Sequence, residues 1–269
     1  MKSPVERVTE SPVPAGTEER RLDLYLAARF NYLSRTAWQR EIESSRVFVN
    51  GEAVKSPGKK IRSGDIVSYR APAIDEPDID PSFEIIYEDE QYLAVNKSGN
   101  LPVHPSGVFF NNTLVMLIES RLGIKLYPVH RLDRETSGVI LLGRDPAAAS
   151  AAQREFGTFC KRYRAVVKGV PGKEEFIIDV PLGPARSSVV RKKREAYSGA
   201  PETACTRFRV LSSSEGFSLL EAVPVTGRMH QIRAHLSYAR LPILGDKLYG
   251  DDERVYLDYV EHGMTEEIE

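Results

Sequence analysis

The chain of 269 residues is 41% hydrophobic and 28% charged, ordinary for a soluble globular protein of one large domain, or one large and one small. No apolar stretch approaches the roughly 18 residues of a membrane span, and residues 1–20 lack the apolar core of a signal peptide. The net charge of -1 averages segregated blocks, +4 over residues 1–70, -8 over 71–90, +10 over 91–250 and -7 over 251–269.

Residues 1–19 mix Pro, Gly, Ser, Thr and Glu without periodicity and read as a flexible N-terminal arm. From Arg21 the pattern turns helical, with Leu22, Leu26 and Arg29 to Phe30 on one apolar face. Ser34 then reads as the N-cap of a second helix through Trp38 and Ile42. Asn50-Gly51 between Val47-Phe48-Val49 and Val54 predicts a tight hairpin, and Ser63-Gly64-Asp65 predicts a turn into Ile66–Tyr69. Residues 20–70 thus form a small αα-then-β domain. Residues 71–81, with three prolines and four acids, read as a linker.

After the linker the expected strands are Phe83–Tyr87, Tyr92–Asn96, Val139–Leu142, Tyr163–Val167, Phe208–Leu211 and Phe217–Ala222. The expected helices are Thr113–Leu122, Pro146–Phe156 and His230–Tyr238. This mixture predicts an α+β domain over residues 82–250, built on a mixed but mostly antiparallel sheet, followed by an acidic tail over 251–269. The two basic bodies suit a polyanionic partner, although incidental surface asymmetry gives the same count. Cys160 and Cys205 have neither a disulfide framework nor metal-ligand spacing. They read as reduced thiols of a cytoplasmic protein.

The densest chemistry lies in His130-Arg131-Leu132-Asp133-Arg134-Glu135-Thr136-Ser137-Gly138. One carboxylate, Asp133, stands among three cationic or potentially cationic side chains just before the apolar run Val139–Leu142. Charges beside a core strand need compensation. His230 and His235 stand five apart, so they do not share a helix face as metal ligands would. Gly-rich phosphate loops are absent. Asp133 and Glu135 are too close in sequence for a pair of acids flanking one glycosidic bond.

His130-Arg131-Leu132-Asp133-x-x-Thr136-Ser137-Gly138 resembles the catalytic motif of RNA pseudouridine synthases of the RluA family. Gly227-Arg228-Met229-His230-Gln231-Ile232-Arg233-Ala234-His235-Leu236, Leu244-Gly245-Asp246-x-Leu248-Tyr249-Gly250 and Lys161–Ala165 resemble its later motifs. The stretch from Tyr87 through Asn96-Lys97-Ser98-Gly99 to His104-Pro105 resembles its opening strand pair. Residues 21–69 resemble an S4 RNA-binding domain, except that Ser45-Arg46 stands where a Gly is common.

The resemblance implies isomerisation of uridine in RNA, with no cofactor and no metal. It implies Asp133 beside the ribose, either attacking C1′ or taking a ribose proton, Arg233 as the guanidinium keeping it charged, and Tyr163 as the ring holding uracil. Arg131 is the expected wedge or phosphate contact when the base flips out, or else a partner of Glu135. Ile232 is the expected pocket floor, or plain core. His130, Arg228 and His230 are further expected substrate contacts. Arg191, Lys192 and Lys193, within the basic run from Arg186 to Arg194, would clamp the RNA backbone, or else form a solvated hairpin tip. Arg35, with Arg40, Lys55, Lys59 and Lys60, would touch RNA from the S4 domain, or else be ordinary surface charge. Large-subunit ribosomal RNA is the expected substrate and tRNA the alternative. The chain is expected to be a monomer. The competing class is a non-catalytic RNA-binding or ribosome-assembly factor.

Overall fold

A computed structural model describes residues 7–30, 33–72, 76–263 and 265. It divides into two units, Met1–Glu76 and Pro77–Glu269. The division falls inside the acidic Pro-rich segment, of which residues 73–75 lie outside the described residues.

In the first unit, β1 (Arg7–Pro12) and β2 (Arg20–Arg21) precede α1 (Leu22–Arg29) and α2 (Arg35–Glu43). β3 (Val47–Val49), β4 (Glu52–Val54), β5 (Lys60–Ile61) and β6 (Ile66–Ala71) follow. The order in the main sheet is β1-β6-β3-β4, and β2 pairs with β5. Asn50 and Gly51 both take positive φ, 52° and 84°, the twist that closes a two-residue hairpin between β3 and β4. The Ser34 hydroxyl accepts the Ala37 N–H and caps α2. Leu22, Leu26, Trp38, Ile42 and Ile61 form the centre of the core.

The arm expected over residues 1–19 is corrected where it is described, and residues 1–6 lie outside. β1 is an edge strand paired with β6 from Arg7↔Ala71 to Pro12↔Ile66. Its long-range pairing, with Val8 54% exposed, leaves little apolar alternation to read. Ser45, in the Gly position, takes φ 59°.

The second unit runs β7 (Phe83–Glu88), β8 (Tyr92–Lys97), α3 (Leu114–Leu122), β9 (Tyr127–Pro128), β10 (Gly138–Gly143) and α4 (Pro146–Glu155). It continues with β11 (Tyr163–Lys168), β12 (Glu175–Asp179), β13 (Leu182–Pro184), β14 (Arg194–Ala196), β15 (Cys205–Ser214), β16 (Phe217–Pro224), α5 (Gln231–Tyr238) and α6 (Arg254–His262). Its sheets are ordered β7-β8-β10-β9, β11-β16-β15-β12 and β13-β14. Every ladder in both units is antiparallel among the described residues, which makes the fold α+β.

Two packing contacts place the site. Gly143 ends β10, where an added Cβ would stand 2.6 Å from the Ala149 nitrogen, so α4 packs directly on the strand. Leu236 of α5 is buried with Val167, Phe208 and Leu220, so α5 packs on the β11-β16-β15 face. The acidic tail expected over 251–269 is also corrected in part. Residues 254–262 form α6, while 264 and 266–269 lie outside the described residues.

Candidate active site

Asp133 lies in the loop between β9 and β10, closed by a Thr136 N–H to Asp133 C=O bond of 3.1 Å. The loop is held by Lys97 at the end of β8 and by the segment that follows it. Lys97 is 1% exposed, and its ammonium donates to the Ser98 carbonyl at 2.7 Å and the Arg134 carbonyl at 3.0 Å. The Arg134 carbonyl also accepts the Leu101 N–H. Burial pushes the Lys97 ammonium down to about 8, against the raising pull of Glu135, Asp133 and Asp80.

Arg233 enters from α5, one hundred residues away in sequence. Its Nη1 donates to Asp133 Oδ2 at 2.8 Å. The rest of the fork is committed to Asp246, with Nε on Oδ2 at 2.7 Å and Nη2 on Oδ1 at 2.8 Å. Asp246 is itself fixed by the Leu248 and Tyr249 N–H groups. Its two-point grip sets the guanidinium plane and so the direction of Nη1. Burial works against the Arg233 charge. Asp246 and then Asp133 outweigh it and raise its pKa. Burial likewise opposes ionisation of Asp246, and Arg233 with the two N–H groups brings its carboxyl below the ordinary range.

His230, 8% exposed, closes another side. Its Nε2 stands 3.8 Å from Asp133 Oδ2, and its Nδ1 is 3.0 Å from the Tyr249 hydroxyl. Burial pushes its pKa down to about 4, so the ring is neutral near pH 7. Tyr163, the first residue of β11, and Ile232 of α5 both pack on the rim of the core cluster around Val167 and Leu236. Burial and then the Asp133 charge raise the Tyr163 hydroxyl's pKa. The Arg131 side chain is exposed and forms neither ion pair nor hydrogen bond among the described residues, although its charge reaches His104. Glu135 instead pairs with Arg134 at 2.9 Å and faces Lys247 at 3.9 Å.

Asp133, Arg233, His230 and Tyr163 therefore come together, with Ile232 next to Arg233 on α5 and Arg131 on the same loop as Asp133. The other expected contacts are placed as follows. His130 accepts the Leu141 N–H at 3.1 Å and stacks on Phe156 at 4.6 Å, so its ring braces the loop against β10. Burial pushes it down to about 4. Arg35, in the first unit, gives Nε and Nη2 to the fully buried Asp23, which also accepts from Arg21 and Gln39. That guanidinium ties α1 to α2. In the tip between β13 and β14, Arg191 and Lys192 are exposed, but Lys193 is paired with Glu253 at 2.8 Å. Arg228 is exposed, its Nε on the Thr203 carbonyl.

Sequence reasoning missed Lys97, Asp246 and Tyr249 as working residues. Each stood inside a quoted motif without a role. It also missed a buried polar chain behind Arg233. His235 donates from Nε2 to the Val180 carbonyl and accepts the Thr206 hydroxyl at Nδ1, and Gln231 donates to Thr206 Oγ1. Gln231 Oε1 accepts the Thr226 hydroxyl and the Arg228 N–H. Every member is satisfied, which locks the start of α5 in place.

A family model described as RNA pseudouridylate synthase matches residues 91–238, and one described as the S4 domain matches residues 20–67. Ribosomal large subunit pseudouridine synthase D of Zymomonas mobilis is 36% identical, over 94% of this chain and 83% of its own length. The mitochondrial tRNA pseudouridine(32) synthase of Saccharomyces cerevisiae is 32% identical, over 80% of this chain and 47% of its own. Among solved structures, human RNA pseudouridylate synthase domain containing 1 superposes with a TM-score of 0.58 at 25% identity, covering 66% of this chain and 74% of that one. A carboxylate fixed by a half-buried guanidinium thus sits inside the matched region, and the chain belongs to the RNA pseudouridine synthases, in the RluA family with an N-terminal S4 domain.

Proposed function

We propose that the enzyme isomerises uridine within large-subunit ribosomal RNA and that Asp133 is the reacting group. The observation that carries this reading is the 2.8 Å bond from Arg233 Nη1 to Asp133 Oδ2, on a guanidinium whose other donors are fixed by Asp246. An ionised carboxylate in a partly buried site needs such a partner.

In the proposed reaction the C1′–N1 bond breaks, uracil turns, and C5 bonds to C1′. C5 loses its proton and N1 gains one, so no atom is gained or lost. Asp133 acts on the ribose, as nucleophile at C1′ or as base. Tyr163 presents a ring face that holds uracil without demanding one orientation, and Ile232 lines the floor. Arg131, unpaired and exposed, enters the space the flipped base leaves, or takes its phosphate. Flipping costs a few kcal/mol, which these contacts offset. Arg191, Lys192 and Arg228 supply exposed positive charge for the RNA backbone.

Ribosomal RNA is favoured by the S4 domain and by the Zymomonas relative's name, while the yeast relative's name keeps tRNA as the second reading. Two free thiols accord with a cytoplasmic setting. Pseudouridine mapping in ribosomal and transfer RNA, from cells with and without the gene, tests the substrate. Loss of one or more sites in large-subunit ribosomal RNA is expected. Loss confined to tRNA would shift the reading to tRNA, and loss at neither would overturn it.

A further inference from the structure

Three features of His230 have no place in the reaction as described. Its backbone is left-handed, φ 56° and ψ 19°, a region few non-Gly residues adopt, although His is among those enriched there. It occupies the N-cap of α5 yet gives no side-chain cap. The ring is turned inward and buried between Asp133 and Tyr249.

The Tyr249 hydroxyl decides the tautomer. It accepts the Arg194 N–H at 2.8 Å, and among the described residues its own proton has one acceptor in reach, His230 Nδ1 at 3.0 Å. A buried phenol satisfies its hydrogen bonding by donating there. The imidazole proton then sits on Nε2, the nitrogen that faces Asp133. Arg233 Nη1 and His230 Nε2 approach the same oxygen, Oδ2, at 2.8 and 3.8 Å, while Oδ1 has no hydrogen-bond or ion-pair partner among the described residues. At 3.8 Å the His230 contact is a charge–dipole one, and a shift of about 1 Å makes it a hydrogen bond.

We propose that His230 is a positioning residue for Asp133: its Nε2–H, set by the Tyr249 hydroxyl, joins Arg233 in fixing Oδ2 and leaves Oδ1 as the oxygen presented to the ribose. This rests on the reading of Asp133 as the reacting group. The left-handed turn at His230, at the start of α5, is what carries the ring into that position. A purely structural histidine would fill the same space without caring which nitrogen bears the proton.

The test uses full-length variants on an RNA that the wild type modifies, in single turnover with saturating enzyme, with separate RNA affinities and thermal melts. Gln places an N–H near the position of Nε2, so His230→Gln is expected to stay within about fivefold of the wild-type rate. His230→Leu removes the donor and is expected to lose about 30-fold in rate with RNA affinity unchanged. Tyr249→Phe is expected to lose about fivefold, and nothing further in the His230→Gln background.

A wild-type rate in His230→Leu, or equal rates for the Gln and Leu variants, overturns the proposal. If His230→Leu does not fold, the Tyr249→Phe pair decides. A loss that vanishes beside His230→Gln supports the role, and an equal loss in both backgrounds overturns it. Turnover by Asp133→Asn would remove the underlying reading whatever His230 does. An inactive Asp133→Asn beside a fast His230→Leu removes only this inference.

Discussion

Arg233 shows how one residue can be read twice, once from its motif and once from its partners. The motif resemblance marked it as the cation for Asp133. It did not reveal that Asp246 takes two of its donors and so aims the third. Asp23 is the counterpart in the first unit, a carboxylate with no exposed side-chain surface. Burial opposes its charge, and Arg21, Gln39 and Arg35 outweigh it, holding its pKa well below the carboxylate range. A folded-state pKa below the unfolded value of about 3.9 gives stability that is full above about pH 4 and is lost as pH falls below it. Asp23→Asn leaves guanidinium groups without their carboxylate and should cost about 3 kcal/mol. Urea unfolding followed by tryptophan fluorescence checks both expectations, because the single tryptophan, Trp38, is fully buried in this core. An unshifted midpoint in Asp23→Asn, or one independent of pH between 5 and about 3, would contradict them.

At the scale of elements, what could be read was what local chemistry encodes. The Asn50-Gly51 turn, the Ser34 cap and the alternation through β8 and β11 needed no distant partner. The edge strand β1 and the three-residue β13 and β14 exist because of what they pair with, so their own residues carry little signal. Ser45 is a local misfit at φ 59°, where a side chain costs about 1 kcal/mol or more. Ser45→Gly should therefore stabilise the first unit by about 1 kcal/mol, seen as a higher urea midpoint by Trp38 fluorescence. An unchanged or lower midpoint would mean that the left-handed turn carries no strain.

Helix α6 was missed for a different reason: charge and ring contacts hold it alongside the packing of Tyr256 on the core around Leu248 and Tyr249. Tyr259 lies under Arg134 and Lys247, each 4.7 Å from its ring centre, and its hydroxyl reaches Glu135. Tyr256 faces Lys192 at 5.0 Å, and Glu253 pairs with Lys193. Glu253 thus neutralises Lys193 beside the exposed Arg191 and Lys192, which are proposed to meet the RNA backbone. Glu253→Gln should free Lys193, tighten RNA binding a few-fold at low salt, and steepen the dependence of log affinity on log salt by about 0.7–0.9. Weaker binding with an unchanged slope would contradict that account.

Over the whole molecule, the near-neutral charge conceals basic bodies joined and trailed by acidic segments, and that was legible by counting along the chain. The site was legible as a set of motifs but not as a geometry. Asp133 and Arg233 are one hundred residues apart and meet only because β10 and α5 pack into one unit. Lys97, Asp246, Tyr249 and the His235–Thr206–Gln231 chain support those two groups through contacts that exist only after folding. His130 and Arg35 went the other way, because a charge or ring in a motif can serve the scaffold as readily as the substrate.

The most direct test of an Asp133-dependent isomerisation follows the hydrogen that leaves C5. Full-length wild type and Asp133→Asn are incubated with a substrate RNA tritiated at uracil C5, and tritium release is measured beside RNA affinity. Wild type should release tritium at the modified uridine. Asp133→Asn should bind within about twofold and lose at least about 10⁴ in rate, because in the proposed reaction the carboxylate acts on the ribose rather than in RNA binding. Release by Asp133→Asn at a rate near the wild type's would contradict the central claim.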